Sequence, residues 1–316
     1  MTKKQRKSKT QGKEVFINIK TDFGFKKIFG NKTLLISFLN ALSVLPDKIL
    51  DIEYLPSEQY GYIKEQRKAA YDVHCRTVNG KHFIIEMQIG KQKYFSNRML
   101  YYSSLAIVNQ APKGKIKRIN KKGEETEVAW DYEIAGIYMI AILDFTIFKE
   151  KEAKDIVVEH IKLTRQSVNL LFTDKYELIT IELPKFKKDL QSLSGIFEQW
   201  LYTFINMHKL SEYPKELDSE IIKVFKEAQI NNLTQEEMSE YKQSILEYDD
   251  VFHAVNWAKE EGIEIGEKRG RKRGIEVGRK LMIEEIVRNN YKLNMSIKQI
   301  AEFTGLTEEQ ISAILK

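Results

Sequence analysis

The sequence predicts a mixed α/β domain followed by an all-helical extension, on three observations. Two runs rich in β-branched and aromatic residues, 70–78 and 81–89, flank Asn79-Gly80, which is a hairpin signature. Residues 133–143 (EIAGIYMIAIL) form a nearly continuous apolar run, as expected of a strand buried on both faces. From about residue 190 onward, helical spacing replaces alternation.

Taken in order, residues 1–14 read as a flexible basic arm without hydrophobic periodicity. Folded sequence begins near Val15. Thr21-Asp22 is placed as a helix N-cap before Phe25, Ile28 and Phe29. A second helical face runs through Leu34, Leu35, Phe38, Leu39 and Leu42 and is closed by Pro46. Residues 49–55 alternate like a strand, and the hairpin follows. Residues 94–110 carry helical spacing until Ala111-Pro112-Lys113-Gly114 ends it, and a last strand at 177–183 stops at Pro184. Helix, strand, strand, strand, helix, strand is the order of a mixed, partly antiparallel sheet. The expected organisation is a sheet domain at 15–190, a helical extension at 191–260 and an association region at 261–316.

Charge and composition narrow the function. The chain has 316 residues, with 51 Lys+Arg against 45 Asp+Glu. Lys3, Lys4, Arg6, Lys7, Lys9 and Lys13 account for the whole excess, so the body is neutral. The arm is either a solubilising tail or an electrostatic aid to DNA binding; any nucleic-acid surface on the body must come from local clustering. With 42% hydrophobic residues the chain can bury a core. Cys75 is the single cysteine, which excludes a disulfide scaffold, a Cys-based zinc site and an Fe–S protein. The longest uncharged apolar run, Ile134 to Leu143, is too short for a bilayer, and no secretory-type segment follows the basic N-terminus. A cytoplasmic protein is expected. His74, His82, His160, His208 and His253 show no ligand spacing.

Asp72, Glu86 and Gln88 carry the chemistry. Glu86 and Gln88, two apart on a strand, project from one face. Asp72 joins them only in one register. A two-residue Asn79-Gly80 loop pairs 72 with 87 and turns Asp72 away. A three-residue loop, Val78-Asn79-Gly80, pairs 72 with 86, Val73 with Ile85 and Cys75 with Phe83, leaving an apolar opposite face. An odd-length connection or a bulge is therefore predicted, with Gly80 as its left-handed residue. Two facing carboxylates repel unless a cation lies between them, and oxygen ligands suit Mg²⁺ or Mn²⁺. The competing reading is a solvated pair on an exposed sheet face. Apolar Ile84, Met87 and Ile89 argue for a largely buried strand.

At these residues the sequence resembles the PD-(D/E)XK nuclease superfamily, and within it the recombination-promoting nuclease and transposase family. The resemblance lies in Thr21-Asp22-Phe23-Gly24-Phe25-Lys26-Lys27-Ile28-Phe29-Gly30, Tyr71-Asp72-Val73 and Ile85-Glu86-Met87-Gln88. It continues through Phe95, Arg98 and Tyr101 to Asp144-Phe145-Thr146-Ile147-Phe148, covering about residues 16–185. It implies a restriction-endonuclease-like core, a metal held by Asp72 and Glu86, and the Met87 backbone carbonyl as a third oxygen ligand. The superfamily's lysine falls on Gln88, which can orient water but carries no charge, so a slower or more metal-reliant reaction is expected. Asp22 is a further acidic contact or a helix cap. Arg98 grips a phosphate or pairs with an acid.

Three other signals remain. Lys113, Lys115, Lys117 and Arg118 open a basic run that tracks a DNA backbone, or is neutralised by Glu124, Glu125 and Glu127. Gly262, Gly266, Gly270, Gly274 and Gly278 recur every four residues among charges, which points to a packing or self-association helix, with a flexible linker as the alternative. Ser296/Gln299 and Thr307/Gln310 are capping boxes around Thr304-Gly305-Leu306, a helix-turn-helix whose second helix starts with Glu308-Glu309 and suits packing better than base readout. The expectation is a Mg²⁺- or Mn²⁺-dependent DNA endonuclease tied to recombination or mobile elements, self-associating through its C-terminal helices, with no membrane part. The alternative is a DNA-binding or scaffold protein that keeps the fold and has lost the chemistry.

Overall fold

The structure, a computed structural model, describes residues 15–43, 45–59, 69–112, 116–119 and 123–316. The basic arm at 1–14, Lys113 and Lys115 lie outside them. Two compact units divide the chain after Phe252.

The first unit is built on a six-stranded mixed sheet. Its strands are β1 (Ile52–Tyr54), β2 (Val73–Thr77), β3 (His82–Gln88), β4 (Ile137–Leu143), β5 (Val158–Lys162) and β6 (Tyr176–Glu182), in the order β1-β2-β3-β4-β6-β5. β1, β2 and β3 run antiparallel, β3, β4 and β6 are parallel, and β5 returns antiparallel along the edge. Helix α1 (Asp22–Phe29) starts where the Thr21 hydroxyl accepts the Gly24 N–H, and Asn31 caps α2 (Lys32–Leu42). Gly24 has no alternative at its position, because a Cβ there would lie 2.1 Å from the Asn18 carbonyl oxygen. Helix α3 (Phe95–Val108) crosses over between β3 and β4.

The pleat sorts side chains onto two cores. Val73, Cys75, Phe83, Ile85 and Met87 face a large apolar cluster with α1, α2, α4 (Ile196–Asn206) and α5 (Ser219–Glu227). Phe29 and Trp200 stack there at 5.8 Å, and each such ring taken from water contributes about 1.5–3 kcal/mol. Ile84, Met139, Ala141 and Leu143 face the other way, onto Phe95, Met99 and Leu105 of α3. Glu86 and Gln88 share that α3 face by strand alternation.

Helix α6 (Gln235–Lys292) begins in the first unit and runs through all five glycines, which are exposed and helical, so the segment is no flexible linker. In the second unit α7 (Ile297–Thr304) and α8 (Glu308–Leu315) start on the two expected capping boxes. Gly305 turns between them at φ +72°, and Val287, Ile300 and Ile311 form their small core. Among the described residues no helix is long and apolar enough to cross a membrane.

Candidate active site

The hairpin takes the three-residue connection. Val73 pairs with Ile85 and Cys75 with Phe83. The Thr77 N–H donates to the Lys81 carbonyl and the Gly80 N–H to the Thr77 carbonyl, each at 2.9 Å, with Gly80 at φ +77°. The ladder ends at Val73; Asp72 lies in the bend before it, with Tyr71 packed on the α3 side and Val73 on the other, so regular alternation breaks at Asp72. Where β2 gives out, Tyr71 turns its N–H to the Ser57 carbonyl, and side chains take over from the ladder. The Asp72 N–H donates to Glu86 Oε1 at 3.3 Å, and the Met87 N–H donates to Asp72 Oδ2 at 2.7 Å.

Burial makes this pair unusual. Glu86 is 2% exposed and Gln88 8%. Desolvation and the Asp72 charge push the Glu86 carboxyl well above its ordinary range. Desolvation raises Asp72 as well, against the pull of its hydrogen bond from Met87. Two acids that resist ionising together are a site for a cation or a shared proton.

Arg98 on α3 partly answers that charge. Its Nη2 donates to Glu86 Oε2 at 3.4 Å, and its Nη1 donates to Gln88 Oε1 at 3.4 Å and to Gln92 Oε1 at 3.0 Å. Its guanidinium lies 4.7 Å from the Tyr102 ring centroid. Tyr102 and Gln92 were not singled out from sequence. Tyr102 follows Arg98 by four on one helix, the spacing at which side chains meet.

A second buried charge sits at the neighbouring strand end. The Asp144 N–H donates to the Gln88 carbonyl at 2.9 Å, its Oδ2 meets Lys20 Nζ at 2.8 Å, and Tyr248 donates to the same oxygen at 3.3 Å. Burial works against the Lys20 charge, but pairing with Asp144 outweighs it and the net shift is upward. Sequence offered no signal for this pair, whose members lie 124 positions apart.

Other expected residues fall differently. Asp22 is not the helix cap; Thr21 is, because its hydroxyl reaches the third amide, while Asp22 opens the first turn and pairs with Lys26 at 2.9 Å. The Asp22 charge is still felt at Asp72. Lys117 and Arg118 sit on an antiparallel ribbon, Ile116–Ile119 with Glu125–Val128. Lys117 pairs with Glu125 at 3.1 Å, and Arg118 with Asp131 and Glu133, both at 2.8 Å. In this structure their charge is met from within.

The donor set fits a hard divalent cation. Asp72 and Glu86 offer carboxylate oxygens with lone pairs beyond those already used. The carbonyl of Met87 leaves the same strand edge as its N–H, toward Asp72. Among the described residues no group of three or more His, Cys, Asp and Glu side chains is disposed to hold a metal. A cation here would therefore take its remaining ligands from main chain, water and phosphate.

A mixed sheet with an acidic residue at the end of one strand and an acid-x-amide pair on the next defines a PD-(D/E)XK-type nuclease fold. Residues 19–258 match the family described as PD-(D/E)XK nuclease family transposase, and the chain belongs to that family. No curated protein and no solved structure matched the chain significantly.

Proposed function

We propose that this protein is a metal-dependent DNA endonuclease that hydrolyses phosphodiester bonds in recombination or mobile-element biology within the cytoplasm. The observation that carries the reading is the hydrogen-bonded meeting of Asp72 with Glu86 and Met87, both carboxyls raised in pKa, beside Gln88 and Arg98. A bound Mg²⁺ or Mn²⁺ would supply an acidified water and neutralise charge on the phosphodiester oxygens. Asp72, Glu86 and the Met87 carbonyl would hold it. The hydrogen bonds from the Asp72 N–H to Glu86 and from the Met87 N–H to Asp72 fix the carboxylates before metal arrives. Gln88 orients by hydrogen bonding alone.

DNA is the proposed partner, contacted by Lys113, Lys115, Lys117 and Arg118, with Lys117 and Arg118 exchanging their acids for backbone phosphates. A second copy is proposed to meet the exposed C-terminal helices. One observation favours a second reading, a DNA-binding or scaffold protein without turnover: the amide at position 88 has no charge.

Nicking of supercoiled plasmid with Mg²⁺ or Mn²⁺ tests the two. Wild-type nicking that is abolished by EDTA, by Asp72→Ala and by Glu86→Ala in folded protein is expected. Salt-dependent DNA binding without cleavage under any metal would put the second reading first.

A further inference from the structure

Position 88 is neutral, yet a fixed positive charge stands against it. The Arg98 guanidinium can only donate hydrogen bonds, so Gln88 must turn its carbonyl oxygen toward Arg98. Its NH₂ group then faces Glu86 Oε2, at 3.2 Å. Gln92 closes the ring, donating to Gln88 Oε1 at 3.3 Å while accepting from Arg98 at 3.0 Å. With the Tyr102 ring against its plane, the guanidinium is held between the second carboxylate and the amide. These contacts use three of its five N–H donors, and its side chain is 29% exposed, open to an incoming ligand.

The geometry points to Arg98 as the group that supplies from α3 the positive charge a lysine at position 88 would supply from β3. Gln88 is the positioning residue that holds it there. This assignment rests on the nuclease reading above. An arginine stays protonated at any working pH, so it cannot take a proton from the attacking water. Its contribution is charge and a planar pair of donors offered to phosphate oxygens as negative charge grows on them. Proton removal is left to the carboxylates and bound water.

The test moves the charge instead of deleting it. In the full chain, Arg98→Met should slow plasmid nicking about 100-fold. Gln88→Lys alone should also slow it, because its ammonium would crowd the guanidinium within hydrogen-bond distance. The double variant Gln88→Lys/Arg98→Met, with the cation moved to β3, should regain at least about tenfold over Arg98→Met. Acceleration by Gln88→Lys alone, with a double variant no faster than Arg98→Met, would overturn the assignment. Calorimetric Mn²⁺ titration provides a readout independent of turnover. Arg98→Met should bind Mn²⁺ several-fold tighter than wild type, since a like charge beside Glu86 is gone, and the double variant should return toward wild type. That order of affinities in a chain that never nicks DNA would retire the nuclease and keep the charge placement. Equal Mn²⁺ affinity in all four proteins would discard the placement.

Discussion

Asp72 and Glu86 meet just beyond the last paired residues of the hairpin, and each is hydrogen-bonded to the other's segment. The Asp72 N–H reaches Glu86 Oε1 at 3.3 Å, and Asp72 Oδ2 takes the Met87 N–H at 2.7 Å. The pair is thus built before any ligand arrives, and its repulsion is stored in a poorly solvated place. Without metal the fold holds two acids whose ionisation it disfavours.

That storage has a pH signature. A carboxyl raised in the folded state binds more protons there than in the unfolded chain, so stability falls as pH rises. For Glu86 the fall starts near the ordinary value of 4.5 and continues up to its raised folded value. Metal-free protein should lose more than about 1 kcal/mol across that window, one pKa unit being worth about 1.4 kcal/mol. Glu86→Gln should flatten the profile and melt higher than wild type at pH 8. Melting curves at pH 5 and pH 8 check this, and a wild-type midpoint that climbs with pH would refute it.

The turn sets the register. Gly80 sits at φ +77°, and a Cβ there meets only the Ala135 methyl at 3.8 Å, so substitution brings backbone strain without a clash. Gly80→Ala should cost about 1–2 kcal/mol in denaturant unfolding and leave Mn²⁺ binding in place. Deleting Arg76 inside β2 keeps the loop but moves every residue before it by one position, pairs 72 with 85 and turns Asp72 to the opposite face. Mn²⁺ affinity should then collapse, and a deletion variant that binds normally would show that register does not build the site.

Much of this was legible in the sequence. The apolar pairs Val73 with Ile85 and Cys75 with Phe83 select one loop length, whereas the bend that places Asp72 had no local signal. Local caps such as Ser296 with Gln299 are readable because both partners lie within one turn. Contacts set by tertiary placement stayed hidden. Gln92 and Tyr102 matter only because Arg98 folds back over β3. The edge strand Val158–Lys162 mixes charge with apolar residues and carries no alternation, and nothing in the basic run marks the ribbon around Lys117.

Lys20 and Asp144 give a case in which pairing decides stability. Their side chains are 10% and 17% exposed, and Tyr248 shares the carboxylate. Asp144→Ala should destabilise by about 3–5 kcal/mol, because a buried ammonium loses its partner. Lys20→Met/Asp144→Leu should cost much less than the two single changes combined. A double-mutant cycle measures the coupling, and additivity within about 0.5 kcal/mol would mean the two charges act independently.

The glycines of α6 test the proposed association. Each costs about 1 kcal/mol in a helix relative to alanine, and a Cβ at any of the five meets nothing within 4 Å in the single chain. For a lone helix, then, Gly→Ala at 262, 266, 270, 274 and 278 is stabilising by a few kcal/mol. Packed against a second copy, the same methyls hold the backbones apart. The five-alanine variant should therefore be more helical and harder to unfold as a monomer, while sedimenting as a smaller species than wild type at equal concentration. A variant that gains helix stability and still sediments like wild type would place the self-association elsewhere on the chain.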